Sequence, residues 1–236
     1  GLADVILTGG SEAAVECSGV GGFNALHALS TRNDSPETAC RPFSASRDGF
    51  VLGEGAGSLV LEEYEHAIAR GAHIYAELVG CGLTADAYHL TASEPEGTGA
   101  KNAMQLAINE ANISPEQVDY INAHGTGTPN NDISESKALL RVFGDKMPMV
   151  SSTKMFTGHT TSASGSIETV MCVLAMQNDF VPGNIGWKNP IPGGVIPTLG
   201  AEGVKLDNVV CNSFGFGGND SSMVISKNPP VAKASD

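Results

Sequence analysis

The chain has 236 residues, 26 acidic against 13 basic, for a formal charge of −13 and a pI near 4.7. Such a balance excludes a binder that relies on Lys and Arg contacts to phosphate, and it disfavours an anionic membrane surface. With 41% hydrophobic residues, 17% charged residues and 29 glycines, the composition is that of an ordered globular chain rich in tight turns and close backbone approaches.

Short apolar runs alternate with helical patterns. Val5–Thr8 reads as a buried strand ended by Gly9-Gly10. Residues 58–62 and 74–79 read as strands on either side of a helical Glu63–Arg70 closed by Gly71. Met104, Ala107, Ile108 and Ala111 recur at helical spacing within 100–111, and Val118–Ile121 forms a strand leading into a loop over 122–129. Asp132, three residues before Glu135, reads as a capping-box start for a helix to about Phe143. Residues 149–152 form a strand, 158–177 a single long helix, and 209–212 with 222–225 a closing pair of strands around a glycine loop. The fold class is α/β. A polar tail follows Lys227.

The five cysteines form no CxxC pair, and their odd number fits reduced thiols in a cytoplasmic protein. Cys17 reads as a loop residue after the first strand, and Cys81, Cys172 and Cys211 as buried thiols within strands or helices. The seven-residue apolar stretch Val170–Met176 is too short to cross a bilayer, so no membrane partner is expected. There is no basic n-region or long apolar h-region at the start, and a first residue of Gly rather than Met suggests a processed, split or truncated polypeptide.

Three segments carry chemistry. Asn122-Ala123-His124-Gly125-Thr126-Gly127-Thr128-Pro129 sets a histidine at a strand's carboxyl end, where α/β ligand sites form, with two hydroxyls following. In Ser151–His159, Lys154 follows a strand and His159 falls in the first turn of the long helix. The positive end of that helix keeps the imidazole neutral, with one N–H left to polarise a carbonyl becoming an enolate. Asn212-Ser213-Phe214-Gly215-Phe216-Gly217-Gly218-Asn219-Asp220 alternates rings with glycines after a strand, so that a bulky ring can plug or open a cavity. Each segment also has a plainer reading: an ordinary turn histidine, a polar cap with a surface lysine, and an isolated glycine loop.

In this order and spacing, the three segments resemble the β-ketoacyl-[acyl carrier protein] synthases, above all the type II elongating condensing enzymes. Further matching stretches are Gly21–Phe23, Ala28–Asp34, Arg47–Gly57 and Thr84–His89. The resemblance implies a thiolase-like α-β-α-β-α layered sandwich, represented here by the end of the N-terminal half with its connection (1–70), the C-terminal half (71–227) and a tail (228–236). It implies an acyltransferase of fatty-acid biosynthesis that joins malonyl-carrier protein to an acyl thioester by decarboxylative Claisen condensation.

Residue by residue, it makes His124 and His159 the donors to the malonyl thioester oxygen and Lys154 their electrostatic support. Thr126 and Thr128 match the threonines that hold the phosphopantetheine arm. Phe216 matches the gating ring, whose backbone N–H lies in the oxyanion hole, and Phe23 an acyl-pocket ring. Asn122, Asp132, Glu135 and Glu168 match supporting groups, and the resemblance implies a monovalent cation site framed by Asn122 with Glu168. No cofactor is implied, since substrates ride on the phosphopantetheine of acyl carrier protein, the expected partner. A homodimer of the complete enzyme is implied as well.

The family's nucleophilic cysteine precedes the strand matching Asp4–Thr8, and no cysteine here stands in its place, so an N-terminal part is expected to supply it. Thr160–Gly165 is more polar than the family's usual segment, Ser44 replaces a usual acid, and His27 stands where an arginine often meets the carrier protein. These departures keep open a specialised polyene or polyketide condensing enzyme, or a non-catalytic partner like the chain-length factors. A metal hydrolase using His124, His159 and Asp132 lacks any ligand-type spacing.

Overall fold

A computed structural model describes residues 2–227; the polar tail expected at 228–236 lies outside the described residues. The chain runs β1 (Val5–Glu12), α1 (Cys17–Ala25), β2 (Gly55–Glu62), α2 (Tyr64–Ala69), β3 (Glu77–Ala85) and α3 (Thr98–Glu110). It continues with β4 (Tyr120–Asn122), α4 (Pro129–Phe143), β5 (Met149–Ser151), α5 (Lys154–Thr157) and α6 (Ser164–Gln177). A small pair, β6 (Phe180–Val181) and β7 (Ala201–Glu202), precedes β8 (Asn208–Gly215) and β9 (Asn219–Ser226).

The main sheet has the order β3-β9-β8-β4-β5. β4 runs parallel to both β5 and β8, and β9 pairs antiparallel with β8 and β3. Alternation along β8 and β9 splits their side chains between two cores. Val210 and Val224 join Met104, Ala107 and Ile108 of α3 and Ala138, Leu139 and Phe143 of α4. Val209, Cys211 and Ile225 join Cys172, Ala175 and Met176 of α6. Helices α3 and α4 therefore cover one face and α6 the other. Beyond α6 lies a second sheet, the antiparallel pair β1–β2, against which α6 also packs. This succession of helix, sheet, helix and sheet is the thiolase-like layering expected of the sequence.

The β1–β2 pair leaves Val5, Ile6, Leu7, Val60 and Leu61 exposed. A groove of about 1220 Å³ lies beside it, lined by Ile6, Val60 and Tyr64 on one side and by Val170, Leu174 and Met223 on the other.

Four expectations are corrected. β1 does not stop at Gly9-Gly10: the ladder runs on to Glu12 opposite Gly55, because glycines fit where β1 meets Gly57 and the 162–163 backbone. The strand expected at 74–79 begins at Glu77 and extends to Ala85, drawn by pairing with β9. The single helix expected over 158–177 starts only at Ser164: α5 ends before it at Thr157, and residues 158–163 form a bridge and a 3-10 turn at Thr161–Ala163. Gly158 takes φ 66°, and His159 pairs like a strand, its N–H donating to Val51 O at 2.7 Å while its O accepts from Gly53 N at 3.1 Å. Among the cysteines, Cys17 opens α1 instead of lying in a loop and Cys81 is exposed; Cys172 and Cys211 are buried as expected.

Helix α3 rests directly on the strand backbone because β3 offers glycine there. A Cβ on Gly82 would lie 1.9 Å from Ala103 O, and one on Gly80 2.1 Å from Ala107 O. We expect Gly82→Ala in the complete protein to lower its unfolding free energy by about 1–3 kcal/mol or more, read from the denaturant midpoint.

Candidate active site

The parallel strands β4 and β5 deliver the key residues at their carboxyl ends. His124 follows β4 and Lys154 follows β5, with side chains 5% and 1% exposed. Lys154 Nζ lies 3.3 Å from His124 Nδ1 and forms a very short ion pair with Glu168 of α6. A lysine nitrogen donates, so His124 Nδ1 accepts and the imidazole proton sits on Nε2. Burial first, then Lys154 and His159, hold His124 well below its ordinary titration range.

His159 meets His124 edge to face, with ring centroids 5.3 Å apart at 84°. Its Nδ1 lies 3.0 Å from Ser164 Oγ, at the first residue of α6. Burial and then Lys154 push its pKa down to about 3, against an opposing effect of Glu12. The neutrality expected of His159 is thus present, but its cause is corrected: burial and a lysine, not residence in a helix's first turn. A row of rings continues outward, His159 to Phe50 at 5.2 Å and Phe50 to Phe23 at 5.1 Å.

Asp132 and Glu135 do not form a capping box. Thr128 caps α4, its Oγ1 accepting from Asn131 N at 3.4 Å, with Pro129 at the first helical position. Glu135, buried one turn into the helix, accepts the backbone N–H groups of His124 at 2.9 Å and Gly125 at 2.8 Å. Burial raises its pKa to about 7, although these bonds pull the other way. Asp132 accepts from Phe43 N at 2.7 Å and Gly127 N at 3.1 Å, and lies 3.5 Å from Arg47. The two acids thus hold the histidine loop from below.

Other expected residues are placed less centrally. Thr126 Oγ1 and Thr128 Oγ1 are 2.9 Å apart, beside the same loop. Phe216 stands at the tip of the β8–β9 turn, 52% exposed, and makes no ring contact with either histidine; Phe214, two residues earlier, lies 5.7 Å from His124. Asn122 spends its amide on Thr153, whereas Glu168 Oε2 is buried without a partner. With one open oxygen between them, Asn122 and Glu168 do not enclose a cation by themselves. Among the described residues no group of three or more His, Cys, Asp or Glu could hold a metal.

Cys40 is the cysteine at the site's edge. Its Sγ–H donates to Lys154 O at 2.9 Å, and burial followed by Asp132 pushes the thiol up to about 12. It is therefore held as a thiol and is no nucleophile. The sequence alone assigns no role to Phe50, Ser164 or the contact of Phe214. Only the Arg47–Gly57 stretch held a signal for the first; the other two depend on how α6 and β8 are brought alongside.

Both imidazoles use Nδ1 to fix their orientation and leave Nε2 without a protein partner among the described residues. With Ser164 Oγ–H donating to His159 Nδ1, both imidazoles present Nε2–H, an arrangement that suits an oxygen gaining negative charge. The profile described as "Beta-ketoacyl synthase, C-terminal domain" matches residues 75–188, and "Beta-ketoacyl synthase, N-terminal domain" matches residues 1–67. The chain belongs to the β-ketoacyl synthase family.

Among curated relatives, 3-oxoacyl-[acyl-carrier-protein] synthase 2 of Vibrio cholerae is 46% identical over 96% of this chain and 56% of its own length. The Coxiella burnetii protein of the same name is 49% identical over 95% and 55%. The chain thus spans about half the length of the curated relatives it matches. A solved ketosynthase of a type II polyketide synthase, in complex with its acyl-carrier protein and bound to the hexaketide, superposes with a TM-score of 0.90. It is 40% identical over 96% of this chain and 57% of that one. No helix among the described residues is long and apolar enough to cross a membrane.

Two measurements check this electrostatic picture. Neither His124 nor His159 should titrate between pH 8 and 5 in imidazole NMR spectra of the complete protein. Lys154→Ala should cost about 3–5 kcal/mol of stability by stranding the buried Glu168 carboxylate, and Lys154→Met with Glu168→Leu should restore most of that loss.

Proposed function

We propose that this chain supplies the decarboxylation and condensation machinery of a 3-oxoacyl-[acyl-carrier-protein] synthase. The carrying observation is the pair of neutral histidines, each oriented through Nδ1, with Lys154 behind them. In this reading malonyl-carrier protein presents its thioester oxygen to Nε2–H of His124 and His159. The bond from the malonyl α-carbon to its carboxylate breaks and carbon dioxide leaves. The freed electron pair delocalises onto the thioester oxygen, where the two N–H groups stabilise the enolate.

The α-carbon then attacks an acyl thioester on a cysteine. The new carbon–carbon bond forms as the carbon–sulfur bond breaks, and the pair returns to sulfur as thiolate. That cysteine is supplied outside residues 1–236, in a further segment that covers the apolar β1–β2 strands. Residues 1–70 belong with that N-terminal half and 71–227 form the C-terminal one. Thr126 and Thr128 guide the phosphopantetheine arm, Phe23 lines the acyl channel beside Phe50, and Phe216 swings with its glycine turn to contribute a backbone N–H to the oxyanion. The complete enzyme acts in the cytoplasm as a homodimer.

A polyketide-type acyl substrate is the second reading. It is favoured by the polar Thr160–Thr161–Ser162 segment next to His159, where Thr161 and Ser162 each donate a hydroxyl hydrogen bond to Glu12.

The test is turnover of malonyl-carrier protein by the complete enzyme. His124→Ala and His159→Ala should each lower decarboxylation by about 10²–10³-fold with little change in acyl transfer to the cysteine. Unchanged decarboxylation in both variants would exclude the proposed roles. Comparison of saturated acyl and poly-β-ketoacyl primers separates the two substrate readings.

A further inference from the structure

The glycine turn is fastened to the loop after β3 by two backbone hydrogen bonds, and a pair of acids lies beside them. Gly217 N–H donates to Leu90 O at 2.7 Å, and Asp86 N–H donates to Gly218 O at 2.8 Å. Asp220, the second residue of β9, sits opposite Thr84 on β3 and Phe214 on β8. It is 5% exposed, and its Oδ2 is buried with no donor.

Asp220 Oδ2 and Asp86 Oδ1 converge over Gly99 near the start of α3. A Cβ there would lie 2.1 Å from the first oxygen and 2.3 Å from the second. Two carboxylate oxygens can only accept, so a direct bond between them forms only when one of them carries a proton.

The surrounding charges add to that demand. Asp86 faces Asp220 from the loop after β3, and Glu135 faces it from α4. Thr84 of β3 and Phe214 of β8 are neutral, and α3 contributes Gly99. Lys101 of α3 turns to Asn102, while Glu94 turns to the N–H groups of Glu96 and Thr98. No basic side chain is among the charges that act on Asp220. The other oxygen of Asp86 accepts from Glu94 N at 2.9 Å, which ties the rest of the loop to the same acid.

We propose that Asp86 and Asp220 share one proton, and that this acid–carboxylate bond positions the Gly215–Asn219 turn against the 86–94 loop until rising pH removes the proton. The two are positioning residues acting on the turn that carries Phe216. The inference does not depend on the condensation chemistry.

The sign follows from linkage. Burial, then Asp86, raises Asp220 to about 7, whereas an aspartate released from the contact has an ordinary, lower value. The closed arrangement therefore holds more protons than the open one. It is favoured at low pH and weakens as pH rises up to about 7.

Hydrogen exchange of amides in 86–94 and 214–219 of the complete protein, corrected for intrinsic rates, reads this directly from pH 5 to 8.5. The wild-type opening constant should climb by up to about tenfold per pH unit below 7, where only the closed arrangement keeps the proton, and level off above it. Asp220→Asn should be flat across this range, because its amide N–H replaces the shared proton, and Asp86→Asn should be flat for the same reason. A flat wild-type profile, or an amide variant that keeps the wild-type slope, overturns the proposal. Carboxyl ¹³C titration of the wild-type protein decides the matter without any variant. One of the two acids should stay protonated to near pH 7, and full ionisation of both below pH 5 would also overturn it.

Discussion

The buried contact of Lys154 with Glu168 and His124 is the interaction around which the site is organised. A lysine that is 1% exposed needs a counter-charge, and α6 brings one in Glu168. That requirement fixes how α6 crosses the carboxyl ends of β4 and β5. Once α6 is fixed, Ser164 at its start is in place to orient His159, and the side of the helix bearing Cys172, Ala175 and Met176 closes the second core. A single desolvated ion pair thus couples the packing of the sheet to the protonation state of two imidazoles.

The electrostatics of the pocket have a consistent logic. Lys154 and the two neutral imidazoles crowd together, while Asp132 and Glu135 hold backbone N–H groups of the adjoining loops, with bonds to His124, Gly125, Gly127 and Phe43. Burial raises both acids as it lowers both histidines, because desolvation penalises the charged form of each. Cys40 follows the same rule and remains a thiol.

The glycines have two separate uses. Gly80 and Gly82 let α3 lie directly on β3, a matter of core thickness. Gly217 and Gly218, at φ 89° and 73°, form a turn that side chains would strain, and that turn carries Phe216. The apolar β1–β2 strands, in contrast, are side chains awaiting a cover, which accords with relatives about twice as long.

Much of the protein was legible from its order of residues. Alternating strand and helix signals established the α/β class, and the segments around His124, Lys154, His159 and Phe216 carried the family likeness, because catalytic loops keep their residue types in short contiguous runs. Contacts that bridge distant segments could not be read in that way. The helix expected over 158–177 looks continuous by local preference, yet His159 is pulled into a bridge with Val51–Gly53, about a hundred residues earlier. Asp132 and Glu135 have the spacing of a cap, but Thr128 takes that role because Pro129 starts the helix one turn sooner. Phe214 and not Phe216 meets His124, since β8 and its pairing with β9 end at Gly215 and leave Phe216 in the turn beyond. The sequence by itself determined which groups could do chemistry. Their protonation and pairing were decided only by burial in the tertiary structure, because desolvation and long-range contacts leave no trace in local spacing.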